Sequence, residues 1–204
     1  DVSLFAVGDP DQSIYAFRGA KVELINHFVS KYQVKVMKLE LNYRSHQLIL
    51  HGANQLIGKN LNRYKKQLIG VKKELIEPTI FVGKESLIEK KIIELVRNLK
   101  TSEIAILYRN HYQATRIKQI LKRNYLFHVK LLTMHEAKGL EFEYIIIIGC
   151  EILPYDKEQA YSGMEEERRL FFVGMTRAKK YLYLFSRYLN PILLETKFKV
   201  LHLM

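Results

Sequence analysis

Residues 144–150 read YIIIIGC and contain four consecutive isoleucines. Strands of a parallel sheet that is covered by helices on both faces carry unbroken apolar runs, whereas half-exposed strands alternate apolar and polar residues. The run is far shorter than the roughly 18–20 residues that cross a bilayer. This stretch therefore predicts a central strand, buried on both faces, in a mostly parallel sheet of an α/β fold.

Other short runs rich in β-branched residues alternate with longer amphipathic segments. Strands are predicted at 3–7, 34–39, 79–83, 103–108, 130–134, 144–150 and 181–185, and helices at about 20–30, 45–58, 85–99, 111–123 and 165–177. The alternation predicts crossover units on a parallel sheet flanked by helices. The connecting region 59–78 is basic and weakly periodic, and we interpret it as a solvated surface loop.

The charge balance favours a polyanionic partner. The chain has 204 residues, 48% of them hydrophobic, which is enough for one core of ordinary size. It carries 33 Lys and Arg against 21 Asp and Glu, a net charge of +12, as expected for a protein that meets nucleic acid or an acidic membrane surface. Its single cysteine, Cys150, cannot form an internal disulfide, which favours a reducing, intracellular setting. No secretory signal is predicted.

Residues 8–20, GDPDQSIYAFRGA, follow the first predicted strand and combine hydrogen-bonding, aromatic and cationic side chains. The turn places Gln12 at the carboxyl end of a parallel sheet, where ligands of open α/β folds bind. Gln12 can bond a phosphate or its attacking water. Tyr15 and Phe17 offer flat faces to bases, and Arg18 can pair with a phosphate. The alternative is that the two aromatic side chains belong to the core.

A second stretch, LNYRS at 41–45, lies between a predicted strand and a predicted helix. Tyr43 could stack on a nucleobase and Arg44 could form a forked contact with a phosphate. Ser45 is a suitable N-cap for the following helix. The alternative is a tyrosine packed on that helix and an arginine in solvent.

The third stretch, 131–148, reads LLTMHEAKGLEFEYIIII and carries Thr133, His135 and Glu141 in the polar connection before the central strand. A zinc-protease motif would need a second histidine at position 139, which is Gly139, so no metal site is predicted. The alternative for His135 is a structural histidine.

The fourth stretch, 165–185, reads EEERRLFFVGMTRAKKYLYLF. Arg177 lies near the end of the predicted helix, where it could reach across a domain boundary toward a phosphate in the manner of an arginine finger. Arg168 and Arg169 are interpreted as partners in structural ion pairs.

Taken in this order, the four stretches resemble the latter motifs of superfamily one DNA helicases of the UvrD, Rep and PcrA type, over nearly the whole chain. The segment 104–121 is also similar to the second motor domain of that family. The resemblance implies a fragment of an ATP-dependent 3′-to-5′ DNA helicase with the RecA-like fold of P-loop NTPases. Residues 1–30 would be the C-terminal remnant of the first motor domain, and residues 31–204 the second motor domain.

The same resemblance implies roles for individual residues. Those assigned to ATP are Gln12, which would sense the γ-phosphate, Arg44 and Arg177, which would reach it, Tyr43, which would stack on adenine, and Glu141, near the ribose. Those assigned to single-stranded DNA are Tyr15, Phe17, Arg18, Thr133 and His135. Phe17 stands where relatives often have tryptophan, and Glu167 is a weaker candidate near the γ-phosphate.

Two departures from the family pattern limit what this chain should do alone. It contains no GxxxxGK[ST] phosphate loop and no upstream acidic pair to hold magnesium. The complete protein is therefore expected to use ATP with Mg²⁺, while this polypeptide alone should neither bind the nucleotide tightly nor hydrolyse it. The family's accessory domain is missing where residues 124–132 run straight into the third stretch.

The expected partners are single-stranded DNA and the first motor domain, in the bacterial cytoplasm and without a membrane. Dimerisation through an unpaired strand at residues 2–7 is a further hypothesis. Three alternatives stay open: a non-catalytic module that binds single-stranded nucleic acid, the motor portion of a helicase-nuclease, and an α/β phosphate-binding domain of unrelated role.

Overall fold

A computed structural model describes residues 4–72, 76–99, 101–151 and 160–204. The strands are β1 Leu41–Asn42, β2 Ile69–Gly70, β3 Thr79–Val82, β4 Ile104–Tyr108, β5 Lys130–Thr133, β6 Phe142–Ile147, β7 Ala178–Ser186 and β8 Lys199–His202. The helices are α1 Glu23–Tyr32, α2 Gln47–Ile57, α3 Glu85–Asn98, α4 His111–Arg123, α5 Ala160–Met175 and α6 Pro191–Glu195. Six strands form one sheet in the order β5-β4-β6-β7-β3-β8, and every described pairing is parallel.

The isoleucine run forms the centre of this sheet. Strand β6 pairs with β4 on one side and β7 on the other. Ile145 and Ile147 point into one apolar cluster, whereas Ile146 and Ile148 belong to a second cluster on the opposite face, and all four are buried. The prediction of a central strand covered on both faces is confirmed, although the strand ends at Ile147 and not at Cys150.

Helices cover both faces of the sheet. Helices α2, α5 and α6 supply apolar side chains to the cluster on one face, and α3 and α4 supply those of the other. The residue pattern of α3 explains how such a helix covers the sheet. Ile92 and Val96, four positions apart, are fully buried, while charged residues occupy the solvent side. The predicted α/β architecture with a mostly parallel sheet is confirmed.

Two predicted strands are absent. Residues 4–7 and 34–39 are not in strand conformation, and the nearest strand is the two-residue β1. The segment 34–39, VKVMKL, is rich in apolar residues, but it pairs with no described strand, and most of its side chains are exposed. Residue 3 of the first predicted strand lies outside the described residues.

Among the described strands and α-helices, sequence reasoning also missed four: the short paired strands β1 and β2, the edge strand β8 and the helix α6. The signal for α6 was present: the Oδ1 of Asn190 accepts a hydrogen bond from the backbone N–H of Leu193, and Pro191 occupies the first helical position. Ser45 is not an N-cap, because the cap position before α2 is His46 and the Ser45 hydroxyl donates to the backbone oxygen of Ala178 at 2.6 Å.

The N-terminal stretch is anchored to the body of the domain by a buried side chain and a buried ion pair. Ile14 is fully buried in the cluster that α2 and α5 build. The carboxylate of Asp11, a residue only 1% exposed, accepts two hydrogen bonds from Arg63, at 3.0 and 2.7 Å. Burial raises the pKa of Asp11, and the contacts from Arg63 oppose that shift. The interpretation of 59–78 as solvated surface is therefore wrong at Arg63.

We expect Arg63→Met to lower the free energy of unfolding by about 3–5 kcal/mol, because it leaves the Asp11 carboxylate buried without its partner. Urea unfolding followed by circular dichroism measures the change. The control is Arg116→Met on α4, whose arginine is more than half exposed and should cost less than about 1 kcal/mol. Equal losses in the two variants would show that the Asp11–Arg63 pair does not anchor the N-terminal stretch.

Candidate functional site

The residues selected from the sequence gather at two opposite edges of the sheet. Because all strands of the six-stranded sheet are parallel, their amino ends share one edge and their carboxyl ends the other. Arg44, Glu141, Arg177 and Lys179 form what we call the amino-end cluster, next to the first residues of β6 and β7. Tyr15, Phe17, Arg18 and His135 form the carboxyl-end cluster, beyond the last residues of β4 and β5.

A chain of alternating charges crosses the amino-end cluster. The Nε of Arg44 lies 2.8 Å from Glu141 Oε2, and Lys179 Nζ lies 3.3 Å from Glu141 Oε1 and 3.2 Å from Glu103. The hydrogen bond from Arg44, followed by that from Lys179, lowers the pKa of Glu141. Tyr43 stands beside Arg44 with most of its ring exposed. The structure thus brings together Tyr43, Arg44 and Glu141, three of the residues assigned to ATP.

Arg177 is the deepest cation of this cluster, at 3% exposure. Its Nε donates to the backbone oxygen of Val173 at 3.0 Å and its Nη1 to that of Leu140 at 3.4 Å. Within the described part of the chain, no carboxylate forms an ion pair with it. Burial, with the nearby charge of Arg44 as a second cause, lowers the pKa of Arg177 to about 10, so the group stays protonated at neutral pH. A buried cation without a carboxylate partner suits an anionic ligand.

Gln12 is held by two neighbours that sequence reasoning did not single out. Its Nε2 donates to Asp9 Oδ2 at 2.6 Å, and the other oxygen of Asp9 accepts from Lys66 at 2.5 Å. The backbone oxygen of Gln12 accepts from Lys138 Nζ at 3.1 Å. Asp9 also interacts electrostatically with Arg177. The Gln12 side chain is therefore positioned at the side of the amino-end cluster. The prediction that it follows a strand at the carboxyl end of a parallel sheet is wrong for the described residues, because residues 4–7 form no strand.

The carboxyl-end cluster presents aromatic rings and a guanidinium together. The rings of Tyr15 and Phe17 are 6.0 Å apart, and His135 lies 5.9 and 5.6 Å from them. The Arg18 guanidinium lies within 5.6 Å of both rings. Phe17 is 68% exposed, so it is not a core residue, whereas Tyr15 packs partly against the core. Exposed rings beside a cation are the elements that bind single-stranded nucleic acid in general.

Thr133, the last residue of β5, and His135, two positions later, contribute to this cluster in different ways. The Nε2 of His135 lies 3.2 Å from the backbone oxygen of Ile14. Burial lowers the pKa of His135, and the charge of Arg109 lowers it further. Thr133 is buried, and its hydroxyl donates to Glu136 Oε2 at 2.9 Å while accepting from the Glu136 backbone N–H. The Thr133 backbone N–H, which donates to Glu136 Oε2 at 2.7 Å, lowers the pKa of Glu136, and the bond from the Thr133 hydroxyl lowers it further.

The two clusters are joined by two chain segments that run in opposite directions. In the first, residues 9–18 lead from the amino-end cluster to the carboxyl-end cluster; in the second, residues 133–141 lead back. Lys138 bonds the backbone oxygen of Gln12, and His135 bonds that of Ile14. These two hydrogen bonds tie the segments to each other between the two edges of the sheet.

Glu167 does not lie with Arg177. It is ten positions earlier, about 15 Å along α5, and its buried Oε1 accepts from Arg109 Nε at 2.9 Å. Burial raises the pKa of Glu167, and Arg109 opposes the shift. Glu167 and Arg109 thus belong beside the carboxyl-end cluster. Arg109 could have been selected from the sequence, since it directly follows a predicted strand.

The other arginines of α5 are structural, as interpreted. Arg168 pairs with Glu195 at 2.7 and 2.8 Å, and Arg169 with Glu165 at 2.9 Å. Across the described ranges, three or more His, Cys, Asp or Glu side chains nowhere converge as metal ligands. None of the described helices has the length and hydropathy of a membrane span.

Comparison with known proteins agrees with this architecture. A crystal structure of the C-terminal domain of a possible DNA helicase from Lactobacillus plantarum WCFS1 superposes with a TM-score of 0.53 at 21% identity, covering 76% of this chain and 94% of that one. This likeness defines the fold class as that of a helicase C-terminal domain. The model of the UvrD-like helicase C-terminal domain matches residues 37–129 and 125–187, and that of the UvrD/REP helicase N-terminal domain matches residues 1–33.

The chain belongs to the UvrD-like helicase C-terminal domain family. It is 30% identical to a probable DNA helicase of Mycoplasma pneumoniae over 203 residues, which cover 90% of this chain and 38% of that protein. It is 39% identical to the ATP-dependent DNA helicase PcrA of Bacillus subtilis over 58% of this chain and 17% of PcrA. It is 38% identical to the ATP-dependent DNA helicase Rep of Buchnera aphidicola (strain Sg) over 59% of this chain and 19% of Rep. The chain thus spans well under half the length of these curated relatives.

His135 generates a prediction about pH. Its folded-state pKa lies below the ordinary value of 6.5, so between those two values the unfolded chain binds more protons. His135 therefore contributes stability that is present above about pH 6.5 and is lost as the pH falls below it. We expect His135→Gln to flatten the dependence of the urea midpoint on pH between about 5 and 7.5. The exposed His51 on α2 provides the control variant His51→Gln, which should keep the slope; an unchanged slope in His135→Gln would contradict the assignment.

Proposed function

We propose that this chain is part of an ATP-dependent 3′-to-5′ DNA helicase, in which it contributes half of the ATP cleft and part of the single-stranded DNA track. Membership of the UvrD-like helicase C-terminal domain family and the relatives named as DNA helicases support this proposal. The observation that carries it is Arg177, a buried arginine without a described carboxylate partner, next to Arg44.

The proposed division of the chain follows the two family models. Residues 1–30 would complete the first motor domain, and residues 31–204 would form the second RecA-like motor domain. The packing of Ile14 and Asp11 supports a close junction between them, while α1 has no buried residue and is free to dock on the first motor domain. The bacterial relatives favour a cytoplasmic protein.

The charges of the amino-end cluster suit a nucleoside triphosphate. Arg44 and Arg177 would meet the γ-phosphate, Gln12 would stand beside it, Tyr43 would take the base on its exposed ring, and Glu141 would lie near the ribose. Bound ATP would supply the free energy of phosphoanhydride hydrolysis. The described residues offer no carboxylate set for Mg²⁺, so the metal and the phosphate loop belong to the first motor domain in this proposal.

The residues of this chain would act by electrostatics. Arg177 holds its charge in place before the ligand arrives, because backbone oxygens and burial fix its guanidinium. Arg44 would exchange the Glu141 carboxylate for phosphate oxygens, and this exchange is inexpensive because an exposed ion pair is worth about 0–1 kcal/mol. Segments 9–18 and 133–141 would then transmit the closure to Tyr15, Phe17, Arg18, Thr133 and His135 on the DNA track.

The test is ATP hydrolysis stimulated by single-stranded DNA, with the first motor domain supplied as a separate chain. We expect Arg44→Ala and Arg177→Lys each to reduce turnover by on the order of 10³-fold, the effect of removing an arginine finger. Arg116→Ala, which changes an exposed arginine of α4, is the control and should retain wild-type turnover. Thermal unfolding of Arg177→Lys separates loss of catalysis from loss of folding.

Turnover that survives in both arginine variants would refute the proposed cleft. If the complex forms and binds DNA but the wild type hydrolyses no ATP, the non-catalytic binding module becomes the better description. A nuclease domain in the complete protein would instead identify the motor portion of a helicase-nuclease.

A further inference from the structure

The short connection between α4 and β5 carries two exposed aromatic rings that the proposed function leaves unused. We call residues 124–128 the tip. Tyr125 is 82% exposed and Phe127 is 70% exposed, with ring centroids 6.2 Å apart in an edge-to-face arrangement. Leu126, between them, is buried in the cluster under α3 and α4. The tip is therefore an ordered turn that holds its middle residue inward and both aromatic rings outward.

The backbone at Tyr125 adopts a left-handed conformation that glycine usually occupies. Helix α4 ends with two bonds, from the Leu126 N–H to the Leu121 oxygen at 2.9 Å and from the Tyr125 N–H to the Lys122 oxygen at 3.1 Å. This is the Schellman pattern, whose left-handed residue is usually glycine. Tyr125 adopts it at φ 57°, which costs about 1–2 kcal/mol for a residue with a side chain. An exposed ring recovers little of that cost by burial, so folding alone does not explain a tyrosine here.

Cations surround the tip. Lys122 and Arg123 directly precede it, and the Arg97 Nη2 of α3 donates to Asn124 Oδ1 at 2.6 Å. Over the part of the chain that the structure describes, Lys122 and Arg123 have no ion-pair partner. Arg97 and Asn124 also line an open hollow of about 420 Å³ together with Lys90, Ile93, Glu94 and Asn98. The single acid of that hollow, Glu94, is paired with Lys91 at 2.7 Å, so the surface is positive.

We propose that the tip and its hollow are a second binding site for single-stranded nucleic acid. Bases would stack on Tyr125 and Phe127, and phosphates would contact Arg97, Lys122 and Arg123. Exposed rings on a turn can stack on the unpaired bases of a single strand, whereas the bases of a duplex are already stacked on one another. A second copy of this chain is disfavoured, because its own surface carries the same positive charge and the whole chain has a net charge of +12.

This site is separate from the carboxyl-end cluster. The tip precedes the first residue of β5, whereas Thr133 is its last residue, about 10 Å further along the strand, and His135 follows it. The two matched segments of the family model overlap at residues 125–129, so the tip lies where the family pattern is interrupted. The inference rests on the proposed function for its class of ligand but uses none of the same residues.

The experiment is fluorescence anisotropy with a labelled oligothymidylate, on the full chain and on the double variant Tyr125→Gly/Phe127→Ser. We expect at least a fivefold loss of affinity, because each stacked base contributes about that factor or more. Glycine suits the left-handed position, so the variant should keep or exceed wild-type thermal stability. The matched control is Tyr112→Ser, which removes an exposed ring of α4 away from the tip.

A photocrosslinking experiment identifies the residues that contact the oligonucleotide. An oligonucleotide with 5-iodouracil should crosslink to Tyr125 or Phe127, and should still do so in a Phe17→Ala variant. Affinity and crosslinks unchanged by the tip variant, with Phe17→Ala alone weakening binding, would overturn this inference and leave the proposed function intact. Absence of binding by the wild type would overturn both. If the tip variant leaves DNA binding unchanged and changes only the oligomeric state, measured as molecular mass in solution, the inference is overturned and the tip is a protein-contact surface.

Discussion

Burial of β6 on both faces is the constraint on which the rest of the structure depends. Four consecutive isoleucines cannot face water on either side, so helices must cover the sheet twice, with α2, α5 and α6 on one face and α3 and α4 on the other. Each parallel crossover returns the chain to the same edge of the sheet before the next strand. The polar connections are therefore sorted into two groups, which become the amino-end and carboxyl-end clusters.

The charged groups at the two edges of the sheet differ in burial and in their partners. The contacts of Arg44 with Glu141 are partly exposed, and such pairs exchange partners at small cost. Arg177, in contrast, is buried, and its described hydrogen-bond partners are two backbone oxygens and the Thr176 hydroxyl. Glu167, in the middle of α5, is buried with Arg109 beside the carboxyl-end cluster. The antiparallel segments 9–18 and 133–141 connect the same two edges by hydrogen bonds, which makes mechanical coupling between nucleotide and nucleic acid physically reasonable.

Much of the fold and part of the site could be predicted because they depend on local pattern. The strand at 104–108 and the helices at 85–98 and 111–123 were located to within one or two residues. The strand predicted at 34–39 from its apolar residues is absent, because a strand also needs a neighbouring strand to pair with. Glu167 was placed near a phosphate from its position in a motif, and helical geometry puts it about 15 Å from Arg177. Asp9, Lys66 and Lys138 were missed since their roles arise from contacts with distant parts of the chain.

Fold class, net positive charge and family membership can be read from the linear chain, since periodicity, composition and motif order are present there. Which charges are partnered depends on the tertiary structure. Asp11 meets Arg63 from 52 positions away, and Arg44 meets Glu141 from 97 positions away, whereas Arg177 meets no described carboxylate. It also decided that Tyr125 and Phe127 point outward around a buried Leu126. Burial and pairing depend on which segments pack together in space, and the linear order of residues does not carry that information.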